Sequence, residues 1–157
     1  MAEKDRTLTL LVDNKPDVLA RIAGTFSGRG FNIENISANI TLNPKVTKIT
    51  IVTTGDRATV TKIRNQLTKI VDVRDVSYLK IKKSVQREMI LAKINFTKDN
   101  REKILASIEE MECRVIKEKE GAFIIEATGE KDKINQILSH FESLGMEDFT
   151  RSGKIAL

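Results

Sequence analysis

The chain contains an internal repeat, so its 157 residues must hold two copies of one structural unit. The segment GDRATVTKIRNQLTKIVDVRDVSYL begins at Gly55, and the segment GEKDKINQILSHFESLGMEDFTRSG begins at Gly129. Apolar residues occupy matching positions in the two segments: Ile63, Leu67 and Ile70 in the first, and Ile137, Phe141 and Leu144 in the second. Their spacing of three and four residues is typical of one face of an amphipathic helix. The repeat predicts two similar small domains.

Each half of the chain shows the same order of elements: strand, helix, strand, strand, helix, strand. In the first half we predict strands at 6–13, 32–42, 46–54 and 71–80 and helices at 16–29 and 56–69. In the second half we predict strands at 87–97, 113–119, 122–128 and 147–155 and helices at 99–112 and 130–144. This order predicts an α+β fold of two ferredoxin-like βαββαβ domains, residues 1–80 and 81–157, each an antiparallel four-stranded sheet with both helices on one face. The joint is KIKKSVQRE, residues 80–88.

Helix ends and hairpin turns can be placed from local residue types. Pro16 suits the first turn of a helix, where its missing N–H costs nothing. Gly30 follows the basic Arg29 and can adopt the left-handed conformation that ends a helix. Asn43-Pro44 and Glu120-Gly121 are hairpin turns between alternating strands.

Composition excludes a membrane protein. Hydrophobic residues make up 40% of the chain and charged residues 31%, which is typical of a soluble globular protein. No stretch reaches the 18 or so apolar residues of a membrane helix, and MAEKDRTLTL lacks the apolar run of a secretory signal. We therefore expect a cytoplasmic protein.

The net charge of +5 lies entirely in residues 1–80, which raises the possibility of RNA binding. A βαββαβ domain that binds RNA stacks bases on aromatic residues of its two central strands, yet TLTLLVD and VTKITIVTT contain none. We expect no nucleic-acid partner and interpret the linker lysines Lys80, Lys82 and Lys83 as solvated.

Residues with catalytic or metal-binding chemistry are scarce. Cys113 is the only cysteine and His140 the only histidine, whereas metal sites and catalytic dyads need several such groups. We expect no metal, no cofactor and no catalytic residue in this chain. A small enzyme with a Lys or Glu base stays open as an alternative, but the sequence identifies no such base in a cleft.

The turn between the first strand and the first helix is a candidate ligand site. A helix N-terminus offers unpaired N–H groups and partial positive charge to an anion. Exposed sheet edges tend to be paired, so two βαββαβ units lying edge to edge would leave a crevice at this turn, lined by the side-chain amides of Asn14 and Asn32. A free amino acid fits it, with a carboxylate for N–H donors, an ammonium for amide oxygens and an apolar side chain for Leu19 or Ile33.

Several segments together resemble one family, the regulatory (small) subunits of acetolactate synthase, also called acetohydroxyacid synthase. NKPDVLARIAGTFSGRGFNIENI, KITIVTTGD and QLTKIVDVRDVS are similar to the N-terminal ACT domain of that family. QREMILAKI, IIEATGEKDKINQIL and RSGKIAL are similar to its C-terminal domain, so the resemblance covers essentially the whole chain.

The resemblance implies a non-catalytic subunit that binds the catalytic (large) subunit and raises its activity. Thiamine diphosphate, Mg²⁺ and FAD are then expected on that partner and not on this chain. Feedback inhibition by a branched-chain amino acid, usually valine, is implied at a site between the paired N-terminal domains of a homodimer. The effector-binding residues implied are Asn14, Lys15, Pro16, Asp17, Val18, Leu19, Asn32 and Ile33.

Asp17 departs from the family pattern, which usually has Gly at this position. A carboxylate beside the helix N-terminus favours the helix dipole but repels an incoming carboxylate. We therefore expect Asp17 to weaken valine binding by about tenfold to thirtyfold. A freestanding amino-acid-sensing ACT module, serving another enzyme or regulator, is the second interpretation that stays open.

Overall fold

The computed structural model describes residues 5–80 and 83–157, which divide into two compact units. The first unit contains β1 (Asp5–Asp13), α1 (Val18–Ser27), β2 (Asn35–Ile40), β3 (Val46–Thr54), α2 (Arg57–Leu67) and β4 (Val73–Leu79). Its strands are antiparallel neighbours in the order β2-β3-β1-β4. The strand β2 therefore lies at one edge of the sheet.

The second unit repeats this arrangement. It contains β5 (Gln86–Asn95), α3 (Arg101–Glu110), β6 (Arg114–Lys119), β7 (Ala122–Gly129), α4 (Lys131–Glu142) and β8 (Met146–Arg151). Four strands follow one another in the order β6-β7-β5-β8, again antiparallel. The predicted fold of two ferredoxin-like βαββαβ domains is confirmed.

The core of each unit lies between the sheet and its two helices. In the first unit, alternate residues of β1 point into the core, and α1 contributes residues four positions apart: Leu8, Leu10, Val12, Val18, Ile22 and Phe26, all buried. The helices α2 and α4 bury matching trios, as the repeat predicts: Val60, Ile63 and Leu67 in one, and Ile134, Ile137 and Phe141 in the other.

The glycines that open the repeated segments lie where a strand meets a helix. A Cβ on Gly55 would lie 3.0 Å from Cγ2 of Thr59, and a Cβ on Gly129 would lie 3.1 Å from Cδ of Lys133. These contacts are tighter than ordinary packing allows, so each junction has little room for a side chain. Close approach to the first helical turn therefore favours glycine in both copies, and at Gly55 the positive φ of 144° favours it further.

Both predicted hairpin turns are confirmed. Residues Thr41 and Val46 are joined across the turn by a 2.9 Å hydrogen bond, with Asn43-Pro44 between them. Glu120 and Gly121 have φ values of 54° and 76°, the positive pair that a two-residue type I′ turn requires.

The predicted strand 147–155 is wrong as a single element. The strand β8 ends at Arg151, and β9 (Ile155–Ala156) begins after a break. At the break, Ser152 N donates to Met89 O and Ser152 Oγ accepts from Met89 N, while Gly153 adopts a left-handed φ of 74°. The side chain of Ser152 and the conformation of Gly153 turn the chain out of the strand.

The last four residues, Lys154–Leu157, group with the first unit and not with the second. Val85 and Leu157 exchange backbone hydrogen bonds of 2.7 and 3.0 Å, and residues 83–85 also belong to the first unit. The second unit therefore spans Gln86–Gly153, whereas the sequence places the second domain at 81–157. Lys80 and Lys83 are exposed, and Lys82 lies outside the described residues.

Candidate functional site

The turn after β1 is anchored to the β2–β3 hairpin through Asn14. The side-chain Nδ2 of Asn14 donates to the carbonyl of Pro44 at 2.9 Å, and its Oδ1 accepts from Thr47 Oγ1 at 3.2 Å. Its backbone N–H donates to Lys45 O at 2.9 Å. Because both ends of the Asn14 amide are occupied, this residue fixes the position of the turn rather than offering a free amide to a ligand.

The helix α1 begins two residues later than the sequence predicts. Pro16 and Asp17 form a turn before the helix, in which Val18 N lies 3.4 Å from Lys15 O, and Asp17 has φ −95° and ψ −8°. Those angles suit the third position of a type I turn, and proline is favoured at the second. The prediction that Pro16 lies in the first helical turn is therefore wrong, since its fixed φ serves the turn instead.

Asp17 occupies the N-cap position of α1 but makes no side-chain capping bond. Its carboxylate lies 3.1 Å from Arg21 Nη2, one helical turn away, and its side chain is 66% exposed. The negative charge is thus directed along the outside of the helix toward a cation.

A cavity of about 290 Å³ lies between this turn, α1 and the edge strand β2. Five of the predicted effector residues line it: Asn14, Lys15, Pro16, Val18 and Leu19. Ala38 and Ile40 of β2 supply apolar surface on the opposite wall. The cavity therefore combines a helix N-terminus with a small apolar compartment, which suits the two ends of an amino acid.

The remaining predicted effector residues do not line this cavity. Asp17 is turned toward Arg21, as described above. Asn32 precedes the start of β2, where its carbonyl accepts a 2.6 Å hydrogen bond from Thr53 Oγ1, and Ile33 packs against the core. The strand β2 starts beside Val52 and ends beside Thr47, so Asn32 lies near the end of β2 that is far from the cavity.

Asp72 is the residue that sequence reasoning missed. It ends the turn before β4 and is 5% exposed. Each of its carboxylate oxygens nevertheless binds a cation, one from the turn after β1 and one from α1. Lys15 Nζ donates to Oδ1 at 2.6 Å, and Arg21 Nη2 donates to Oδ2. Its backbone carbonyl also accepts the N–H of Asp13 at 2.8 Å.

Ion pairs at the turn favour the charged forms of Asp13, Lys15 and Asp72. The hydrogen bond from Lys15 lowers the pKa of Asp72, and the same bond raises the pKa of Lys15. The hydrogen bond from Arg74 lowers the pKa of Asp13, whose Oδ1 lies 2.6 Å from Arg74 Nε. The carboxylates of Asp13 and Asp72 and the ammonium group of Lys15 are therefore charged at neutral pH.

The two lone candidate residues lie in the second unit. Cys113 packs against the core, and burial raises the pKa of its thiol, which makes a reactive thiolate unfavourable. His140 stacks edge-on against Phe141 with ring centroids 5.2 Å apart. Within residues 5–80 and 83–157, no group of three or more His, Cys, Asp or Glu side chains could hold a metal ion. No helix in that part of the chain is both long and apolar enough to cross a membrane.

Comparison with known families assigns both halves of the chain. Residues 8–75 match the model described as "AHAS small subunit-like ACT domain", and residues 87–157 match the model described as "Small subunit of acetolactate synthase".

Individual relatives cover nearly the whole chain. The chain is 34% identical over 151 residues to a probable acetolactate synthase small subunit of Archaeoglobus fulgidus, covering 96% of this chain and 94% of that one. It is 32% identical over 157 residues to the acetolactate synthase small subunit of Mycobacterium bovis, covering 100% and 94%. The crystal structure of the small subunit from Thermotoga maritima superposes with a TM-score of 0.90 at 30% identity, covering 98% of this chain and 96% of that one.

Proposed function

We propose a regulatory role for this chain, which belongs to the family of acetolactate synthase small subunits. It binds the catalytic subunit of that enzyme, raises the activity of that subunit, and confers feedback inhibition by a branched-chain amino acid, of which valine is the first candidate. The chain supplies regulation, and the thiamine diphosphate, Mg²⁺ and FAD belong to the catalytic partner. Its place is then in valine, leucine and isoleucine synthesis.

The cavity at the N-terminus of α1 is the observation that carries the effector part of this proposal. The effector's carboxylate would lie at the helix N-terminus, where N–H groups and the helix dipole favour an anion. Its branched side chain would lie against Leu19 of α1 and Ile40 of β2, which both line the cavity. A small aliphatic amino acid fits within the volume of about 290 Å³.

A homodimer formed through β2 explains why the predicted residues divide into two groups. The strand β2 is an edge strand, and Ile40 at its end is 61% exposed. If two copies pair antiparallel through β2, a two-fold axis places the start of one strand beside the end of the other. Since β2 spans about 17 Å, Asn32 and Ile33 of each chain would then approach the cavity of its partner.

The experiment that tests the proposal is reconstitution with the catalytic subunit from the same organism. This chain alone should form no acetolactate from pyruvate, and adding it to the catalytic subunit should raise turnover. Valine added to the reconstituted enzyme should then lower turnover. No rise in turnover at saturating ratios would contradict the proposed role, and amino-acid binding without association would indicate the freestanding module instead.

A further inference from the structure

Six charged residues beside the cavity form one connected cluster with equal numbers of acids and bases. Its members are Asp13, Lys15, Asp17, Arg21, Asp72 and Arg74. Three carboxylates balance three cations, so the cluster carries no net charge, and it reaches the cavity through Asp13 and Lys15, which line it. Asp72 lies at the centre, because it alone binds both of the cations that flank the turn, Lys15 and Arg21.

Burial distinguishes Asp72 from the other members of this cluster. Its side chain is 6% exposed, whereas the side chains of Lys15, Arg21 and Asp17 are 55%, 41% and 66% exposed. A buried carboxylate must be compensated by cations, which holds Lys15 and Arg21 in place. Lys15 also lines the cavity, so the position of its ammonium group bears directly on what the cavity can bind.

We propose that Asp72 is a specificity-determining residue of the effector site, which keeps the cavity wall electrically neutral and thereby favours a zwitterionic amino acid over an organic anion of the same shape. This inference rests on the proposed function, since it concerns the same cavity and the same class of ligand. No contact between Asp72 and the ligand is required, because Asp72 acts through Lys15 and Arg21.

The physical reason is the difference in net charge between the two kinds of ligand. An uncompensated cation beside the cavity attracts the carboxylate of either ligand, but it also repels the ammonium group of an amino acid. A simple carboxylic acid lacks that opposing term and gains the full attraction. Lys15 also lies 3.5 Å from Asp13, but Asp13 is shared with Arg74, so without Asp72 the cluster has one cation in excess. By pairing Lys15 and Arg21, Asp72 removes the advantage that the anion would otherwise have.

The test compares two ligands with the same carbon skeleton. L-Valine is the zwitterion, and 3-methylbutanoate is the same molecule with hydrogen in place of the ammonium group. Isothermal titration of the full-length protein with each ligand gives the ratio of the two affinities. In Asp72→Asn, which keeps the size of the side chain and removes its charge, the affinity for 3-methylbutanoate relative to valine should rise by about threefold to tenfold.

The ratio is informative because unfolding cannot change it. If the role of Asp72 were purely structural, Asp72→Asn would lower the fraction of folded protein and reduce the apparent affinity for both ligands by the same factor. Lys15→Met supplies an independent test on an exposed side chain. In this variant the cluster keeps one carboxylate in excess, so the affinity for 3-methylbutanoate relative to valine should fall by a similar factor. Asp75→Asn is the matched control. Asp75 pairs in register with Leu11, which lies between the core residues Leu10 and Val12 and therefore on the opposite face of the sheet. The carboxylate of Asp75 accepts a hydrogen bond from Ser77, so the affinity ratio should stay at the wild-type value.

Each outcome decides a different point. An unchanged ratio in both Asp72→Asn and Lys15→Met, with valine still bound by the wild-type protein, would overturn the role of Asp72 and leave the proposed function standing. If the wild-type protein binds neither valine nor leucine nor isoleucine, the effector part of the proposed function and this inference both fail.

Discussion

The backbone N–H of Lys154 donates a 2.9 Å hydrogen bond to the side-chain Oδ1 of Asn35, a residue 119 positions earlier in the chain. Asn35 is the first residue of β2, so the C-terminal residues reach the start of the edge strand that borders the candidate site. The same segment is held by the backbone hydrogen bonds between Val85 and Leu157. The C-terminus is therefore part of the first unit's structure.

Deletion of residues 154–157 should destabilise the first unit and loosen the start of β2. The deletion removes the hydrogen bond from Lys154 N–H to the Asn35 side chain and both backbone hydrogen bonds between Val85 and Leu157, each contributing about 0.5–1.5 kcal/mol. It also removes Lys154, which is buried. Hydrogen–deuterium exchange should show faster exchange at Asn35 and its neighbours.

The matched control for this deletion is Leu157→Ala. The side chain of Leu157 is 84% exposed, and the substitution leaves the backbone hydrogen bonds to Val85 in place. Exchange at the start of β2 should then match the wild-type protein. Equal protection in the deleted chain would mean that the C-terminal contact does not stabilise β2.

The strands and helices were predictable because local patterns determine them. The strand β3 was predicted with the observed bounds, since Thr47, Ile49, Ile51 and Thr53 alternate with their neighbours without interruption. The break before β9 depends on Ser152 binding Met89, a contact 63 positions away that periodicity does not contain. The dipeptide Ser152-Gly153 was the one available signal, because such pairs often mark turns.

The candidate site was only partly predictable for the same reason. The residues of the turn, from Asn14 to Leu19, are contiguous in sequence, and the structure brings all but Asp17 to one cavity. Asp72 contacts Lys15 and Arg21 from 57 and 51 positions away, so no local pattern indicates its role. A lone aspartate before a strand is otherwise an ordinary turn residue.

Pairing through β2 predicts that a charge on this edge will dissociate the dimer. Ile40→Lys places a cation on exposed apolar surface at the strand's end, and lysine on an edge strand opposes pairing. Sedimentation velocity should show a shift from dimer to monomer at the same protein concentration. Ile116→Lys is the control, since Ile116 is a comparably exposed residue on the edge strand β6 of the second unit. Dissociation by Ile116→Lys alone would place the dimer contact in the second unit.

The ion pairs of Asp72 predict how stability depends on pH. The pKa of Asp72 is lowered in the folded protein, so its contribution is fully present above the ordinary aspartate pKa of about 3.9 and is lost as pH falls below it. Asp72→Asn should therefore be less stable than the wild-type protein at pH 7. The difference in unfolding free energy between the two should shrink as pH falls below about 4.

The alkaline side tests the partner cation. The pKa of Lys15 is raised, so its contribution is present below the ordinary lysine pKa of about 10.4 and is lost as pH rises above it. Urea unfolding across the pH range measures both the acid and the alkaline loss of stability. At high pH the unfolding free energy of Lys15→Met is compared with that of the wild-type protein. A difference between wild type and Asp72→Asn that stays constant from pH 7 to pH 2 would contradict the ion-pair assignment.

The structure lowers the effect on valine binding that we expect of Asp17 below the value expected from the sequence alone. Its carboxylate pairs with Arg21 at 3.1 Å, and Asp17 does not line the cavity. The cation offsets most of the field that would repel an effector's carboxylate. We therefore expect Asp17→Asn and Asp17→Gly to tighten valine binding by about threefold at most, rather than tenfold or more. Asp17→Gly should also lower stability slightly, because the helix loses its N-terminal charge and glycine increases the freedom of the unfolded chain.

The role of Arg21 as the neutralising partner can be tested by repeating the comparison in an Arg21→Gln background. Without the guanidinium, the charge of Asp17 is uncompensated, so Asp17→Asn should tighten valine binding by a larger factor there than in the wild-type background. Titration calorimetry of the four proteins gives the coupling between the two residues. Tightening of tenfold to thirtyfold by Asp17→Asn in the presence of Arg21 would show that the carboxylate faces the ligand, because an ion pair on the outer surface of α1 cannot repel it that strongly.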